Sequence, residues 1–253
     1  MGPEAIMTAI QDTIGLGAQA QDIIEPSRKV WDLPVRLFHW SLVAAIVAAF
    51  VTNKLGVRTF QYHVWSGYAV VVLTCFRILW GFVGARHALF RNFVRGPAAI
   101  IAYVRGFFDP HGPHYVGHNP AGALMVLALL VAAAAQAALG LFANDEIFNT
   151  GPLYGYVTKD LSLLLTSLHR RLFYLLAGAV ALHVIAVVAH RIFKGENLVV
   201  AMITGRKPAS LTPATEAIAS SKLRLAAPIF LALAGLLAWI VLNAPQAAAD
   251  AEF

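Results

Sequence analysis

The sequence predicts an all-α integral membrane protein, and three observations carry that reading. Hydrophobic residues make up 59% of the 253-residue chain and charged residues only 13%, about half the usual ~25% share. A soluble fold of this size could not hide so much apolar surface. The apolar residues are gathered into five blocks, each close to the ~20 residues that a hydrocarbon core of about 30 Å requires. The net charge of +6 comes from nineteen Lys and Arg scattered between those blocks. No basic run is interleaved with aromatics on a polar face, so nucleic acid is excluded as a partner. The single cysteine, Cys75, lies inside an apolar block, which excludes disulfides, zinc ribbons and thiolate-ligated clusters.

Residues 1–30 are mixed and partly acidic, without the basic start or unbroken apolar core of a cleavable signal peptide. They read as a short cytoplasmic extension, or an interfacial helix. The expected spans are 36–53 (RLFHWSLVAAIVAAFVTN), 61–83, 120–143, 168–190 and 226–243. Asn119-Pro120 opens the third with a capping residue followed by proline at the first helical position. Between the second and third, PAAIIAYVRGFF (97–108) has the character of a helix lying in the interface. The stretch 206–225, rich in Ser, Thr, Pro and Ala, reads as a linker to a separable fifth span, and 244–253 as a short tail.

Basic residues set the orientation. With the amino terminus inside, the inner segments hold thirteen Lys and Arg and the outer segments five, while Arg77 lies within the second span. A cytoplasmic amino terminus is therefore expected, with the 86–118 loop inside and the 144–167 loop outside.

Ionisable residues within a membrane are costly and are functional candidates by default. Four histidines qualify: His39, His63, His169 and His183. His39 is about one turn into the first helix from the inside, and His63 starts the second from the outside. His169 opens the fourth helix, also at the outer side. His183 follows fourteen residues later, which is ~21 Å along the axis and within ~40° of the same face. The depths pair His63 with His169 outside and His39 with His183 inside. Two stacked bis-histidine sites in a four-helix bundle are what two b-type haems require. With no Cys-x-x-Cys-His in the chain, the haems would be held non-covalently. His190, seven residues beyond His183 on the same face, competes for the inner position; its place beside Arg191 at the boundary favours His183.

Haem propionates need basic partners. Arg36 is one turn from His39, Arg77 is near the inner end of the second helix, and Arg170 and Arg171 adjoin His169. Each could clamp a propionate or simply snorkel to the interface. His111, His114 and His118 are spaced to bind a metal, although only Asp109 is near to assist, so interfacial or subunit contacts compete with that reading. Gln136 reads as a packing hydrogen bond in a third helix that donates no ligand.

The motifs VWDLPVRLFHW, YHVWSGY, FRILWGFVG, GHNPAGALM and LHRRLFYLLAGAVALHV resemble those of the bacterial cytochrome b-561 and nickel-iron hydrogenase b-type subunit family. The resemblance covers roughly residues 30–205. It implies a four-helix, two-haem cytochrome of the bacterial inner membrane, with the same four histidines as ligands. It further implies electron transfer between the quinone pool and a partner redox protein, either a periplasmic c-type cytochrome or a hydrogenase or dehydrogenase subunit. The fifth span and the amino-terminal extension lie outside the matching core.

An electron-transfer subunit is thus the expected function, with menaquinone or ubiquinone at one end and lipid around it. Asp145, Glu146 and Asp160 in the outer loop could dock a basic partner. A second reading is a stand-alone quinone reductase that oxidises a small reductant such as superoxide, drawn in by Lys54, Arg58, Arg170 and Arg171. A third is a transporter or structural anchor. A reduced-minus-oxidised visible spectrum separates the third reading from the other two. No Ser-His-Asp arrangement, Gly-rich phosphate loop or paired membrane carboxylates suggest other chemistry.

Overall fold

The computed structural model describes residues 26–109 and 112–245. Most of the amino-terminal extension, His111 and most of the tail lie outside the described residues. A short strand, β1 (Ser27–Lys29), leads into α1 (Leu33–Lys54). The Asp32 side chain caps α1 by accepting the Val35 N–H at 2.8 Å, and Pro34 occupies its first turn, where no N–H is missed. Gly56, at φ +92°, turns the chain in a conformation that disfavours other residues. The chain then returns as α2 (Phe60–Val83), followed by the short α3 (Phe90–Phe93) and α4 (Pro97–Arg105). Asn119 caps α5 (Pro120–Leu141) through the Gly122 N–H at 2.7 Å, as the Asn-Pro signal predicts. Next come α6 (Lys159–Lys194), α7 (Leu198–Thr204), β2 (Arg206–Pro208) and α8 (Leu223–Leu242).

Helices α1, α2, α5, α6 and α8 are long and apolar enough to cross a membrane, and the chain is a multi-pass membrane protein. The near end of the bundle carries Leu33, Val83, Pro120, Lys194 and Leu223; the far end carries Lys54, Phe60, Leu141, Lys159 and Leu242. Neighbours α1–α2, α2–α5 and α5–α6 pack side by side, and α8 lies against α2. Ala45, Val70, Ala133 and Ala137 form a mid-bundle cluster. A larger cluster at the near end joins Val30, Trp31, Val35, Phe76, Trp80, Ala88, Ala201 and Ala226.

Two span starts differ markedly from those the sequence suggests. The fourth span begins at Lys159 rather than 168, because Thr158 caps it through the Leu161 N–H. Its 36 residues make a helix of about 54 Å, longer than the hydrocarbon core. The fifth begins at Leu223 and is not separable at its near end, where Ala226, Ile229 and Leu233 join the large cluster.

The stretch 206–225 is not a free linker. β2 pairs antiparallel with β1, Arg28 opposite Lys207, so residues 27–29 belong to the fold rather than to the extension. Beyond the strand, the Glu216 carboxylate meets Arg86 at 2.5 Å and its carbonyl meets His87 Nε2 at 2.8 Å. Ser221 Oγ accepts the Leu33 N–H at 3.1 Å. Lys222 Nζ donates to the Val83 and Gly84 carbonyls. These contacts satisfy helix-end groups that would otherwise lack partners, which a composition rich in Ser, Thr and Pro does not reveal.

Candidate functional site

The four intramembrane histidines meet in two pairs at different levels. His63 of α2 faces His169 of α6 toward the far end, with ring centroids 6.2 Å apart. His39 of α1 faces His183 of α6 toward the near end, at 6.5 Å. One helix therefore supplies one ring to each pair. Two imidazole nitrogens on opposite sides of one metal, each bonded at about 2 Å, put the ring centroids about 6 Å apart. Both pairs have that spacing, so their donor chemistry and geometry fit axial ligation of a haem iron.

In the far pair the ring orientations are fixed. His63 Nδ1 lies 2.8 Å from the Ala49 carbonyl, and His169 Nδ1 lies 2.8 Å from the Gln136 carbonyl. An N–H donated from Nδ1 leaves each Nε2 as the unprotonated nitrogen, the tautomer a metal requires. The Gln136 side-chain amide also reaches His169 Nε2, at 3.3 Å. Gln136 is thus more than the packing contact its isolated position suggests: α5 supplies no ring to either pair but orients one. Gly140, one turn on, makes room for the same ring, since a Cβ there would stand 3.0 Å from His169 Cε1.

In the near pair, His39 Nδ1 is buried without a hydrogen-bond partner. The four basic candidates divide. Arg36 donates to the Met202 and Ile203 carbonyls at the end of α7, a helix-capping role that occupies its fork. Arg170 and Arg171 are exposed at the level of His169. Arg77 is only 2% exposed and lies over the rings of Phe90 and Phe93 at 5.1 and 5.9 Å. Neither of its terminal nitrogens donates a hydrogen bond. The neighbouring Asp32 carboxylate accepts instead from Val35 N and from Trp80 Nε1, the latter at 3.2 Å. Burial pushes the Asp32 carboxyl above its usual range, partly offset by those two donors and by the Arg77 charge.

His118 and His114 do not form a metal site. The His118 ring is held between Trp31, in an edge contact at 4.8 Å, and Phe93, tilted at 4.6 Å. Burial drives its pKa down to about 3, so the ring is neutral. His111 lies outside the described residues, and among the described residues no three His, Cys, Asp or Glu side chains gather to hold a metal ion. The competitor His190 is committed elsewhere, 3.1 Å from Glu196 Oε2. The far-end loop is likewise less free to dock a partner than its composition suggests. Asp145 accepts the Ile147, Phe148 and Asn149 N–H groups, and Glu146 pairs with Lys159 at 3.5 Å.

Sequence reasoning missed Asp32, Trp80, Gln136 and Gly140 as parts of these sites. Asp32 alone had a local signal, an acidic residue immediately before a Leu-Pro helix start.

Residues 30–205 match the family model for prokaryotic cytochrome b561. The chain is 26% identical over 247 residues to the Rhodobacter capsulatus protein named "Probable Ni/Fe-hydrogenase B-type cytochrome subunit", covering 81% of this chain and 92% of that one. No solved structure matches it. The family match spans well over half of the chain, including all four histidines and both ring pairs, and the chain accordingly belongs to the prokaryotic cytochrome b561 family, as a membrane b-type cytochrome.

Proposed function

We propose that the protein is a di-haem cytochrome of the bacterial cytoplasmic membrane that carries electrons between the quinone pool and a partner redox protein. The near end, with its excess of Lys and Arg, is assigned to the cytoplasm. The observation that supports this reading most directly is the repeated ring spacing of 6.2 and 6.5 Å at two levels of one bundle. His63 and His169 would hold one haem b, and His39 and His183 the other. Haem b, when bound, supplies reversible one-electron chemistry. Held by two histidines, its iron would favour electron transfer over oxygen binding.

The chain's own residues hold the rings in place and keep water out. The Ala49 and Gln136 carbonyls fix two imidazoles, the helix walls exclude solvent, and Arg77 offers buried positive charge at the near level. Arg36 is committed to α7, while Arg170 and Arg171 could reach a propionate only at the exposed far level. The similarity to a hydrogenase-associated cytochrome subunit favours a hydrogenase subunit as the partner over a c-type cytochrome or another dehydrogenase. Pyridine haemochrome analysis of the purified protein should give two haems b per chain. One haem or none would overturn the assignment.

The exposed pair Arg170 and Arg171 beside His169 gives a second reading some support. A small anionic reductant such as superoxide would be drawn to that edge, and quinone would take the electrons. Rapid reduction of the haems by superoxide without any partner protein would favour it.

A further inference from the structure

We infer that Arg77 and His118 together form the carboxylate pocket that holds a propionate of the near haem. The inference deepens the di-haem reading and rests on it. A guanidinium that is 2% exposed has lost its water, and a buried charge without hydrogen bonds is costly. Two terminal nitrogens of Arg77 and Nδ1 of His118 are buried without partners. Among the described residues no anion accepts a hydrogen bond from Arg77: the buried Asp32 carboxylate is close enough to couple to its charge, but takes its own hydrogen bonds from the Val35 N–H and the Trp80 indole at Oδ1. Asp32 therefore tunes Arg77 electrostatically without closing its fork.

The depth is right for the near site. Arg77 is six residues from the end of α2, and His39 six from the start of α1, so both stand about 9 Å in from the near end. His118 lies within electrostatic reach of both Arg77 and the ligand His183. Aromatic rings fix both groups: Phe93 contacts both side chains, with Phe90 against Arg77 and Trp31 against His118. The pocket is therefore preorganised for a planar acceptor. A propionate carboxylate is such an acceptor, and a guanidinium can grip it with two parallel N–H bonds. His118 was singled out by its sequence spacing as a possible metal ligand; its surroundings suit a neutral N–H donor instead.

The test uses the full-length protein in membranes, with wild type, R77K, R77M, H118Q and H118F compared. Resonance Raman spectra report the propionate bending bands, and redox titration resolves the two haems. R77M should shift one propionate band and lower the midpoint potential of one haem only, because the charge favouring the reduced form is removed. H118F should shift the same band, and H118Q, which keeps a donor, should shift it less. In an H183A background, which lacks the near haem on this reading, R77M should leave the remaining spectrum unchanged. If R77M does not accumulate, R77K and H118F carry the test, since each loses one hydrogen-bonding geometry while keeping its bulk.

Two haems in wild type with unmoved propionate bands in R77K and H118F would overturn the pocket while leaving the di-haem reading intact. A shift of both potentials with no change in the bands would also overturn it, since that is long-range charge alone. A near-haem potential in wild type that follows chloride or phosphate concentration would assign the pocket to a free anion instead. Absence of haem from wild type would overturn the underlying reading itself.

Discussion

His190 Nε2 lies 3.1 Å from Glu196 Oε2, and both side chains are buried where α6 meets the near end. Lys207 of β2 pairs with the other carboxylate oxygen and donates to the Tyr115 carbonyl at 3.1 Å. Burial alone would raise the Glu196 pKa, but the His190 hydrogen bond and the Lys207 charge outweigh it and hold the carboxyl below its usual range. The triad fastens the end of the longest helix to the strand pair. It also engages His190, which helical periodicity places on the same face as His183, in a contact of its own.

The two histidines should therefore fail differently. On the di-haem assignment proposed above, His183→Ala should remove the near haem and leave the far one, held by His63 and His169. His190→Ala should retain both haems but lower thermal stability, by about 1 to 3 kcal/mol for the broken buried hydrogen bond. Haem quantitation with thermal melts of both variants checks this. Loss of a haem in His190→Ala, with both retained in His183→Ala, would reverse the ligand assignment.

Gly140 gives a prediction for the far site. An added Cβ would meet His169 Cε1 at 3.0 Å and Nδ1 at 3.2 Å, closer than a ring held by the Gln136 carbonyl can tolerate without turning. Gly140→Ala should shift the far haem's spectrum or reduce its occupancy, and Gly140→Val should abolish it while the near haem persists. Haem content resolved by redox titration provides the measurement. Full occupancy of both sites in Gly140→Val would show that α5 does not constrain the ring.

A third expectation concerns pH at the far-end loop. Burial slightly opposes ionisation of Asp145, but the Asn149 backbone and side-chain donors and the Ile147 and Phe148 N–H groups outweigh it, lowering its pKa to about 2. A carboxyl depressed in the folded state stabilises the loop fully above its ordinary value of 3.8, and loses that contribution as pH falls through about 2. Hydrogen exchange at Ile147, Phe148 and Asn149, corrected for intrinsic rates, should show constant protection from pH 7 to about 5. Protection should then fall as the pH drops below about 4. Asp145→Ala should remove protection throughout. Unchanged protection in that variant would mean that the turn holds without the carboxylate.

How much of this was legible in the sequence follows from the range of the forces involved. The five spans and the depths of His39, His63, His169 and His183 were readable because apolar length and helical rise are local properties. Asn119-Pro120 was readable as a cap for the same reason. The partner of His169 was not: Gln136 lies 33 residues away, and nothing in an Ala-rich helix says that a backbone carbonyl will face an imidazole. Arg36, Arg170 and Arg171 stood out by proximity to histidines and Arg77 by its place near the inner end of the second helix, with nothing local to rank them. Burial and partners separate Arg77 from Arg36, and those depend on α3 and α7, short helices that the chain folds back over the near end.

The segment after β2 carries the last prediction. Read as a flexible linker, residues 206–225 would allow everything beyond about Lys207 to be removed without effect on the haems. The structure gives this stretch specific work. Ser221 Oγ satisfies the Leu33 N–H at the start of α1, the helix that bears His39 and follows the capping Asp32. Glu216 holds Arg86 and His87, and Lys222 caps the end of α2 through Val83 and Gly84. Losing several helix-end partners costs roughly 1 kcal/mol each, and the first two turns of α1 would loosen around the near site. A stop after Arg224 removes nearly all of α8 but keeps these contacts, so both haems should remain, with a lower melting temperature from the loss of Ala226, Ile229 and Leu233. A stop after Lys207 should go further and reduce occupancy of the near haem, leaving the far haem bound. The comparison is made by haem quantitation and redox titration of the two truncated proteins in membranes. Equal, full haem content in both would restore the linker reading, and loss of the far haem in either would show that the bundle depends on α8 as a whole.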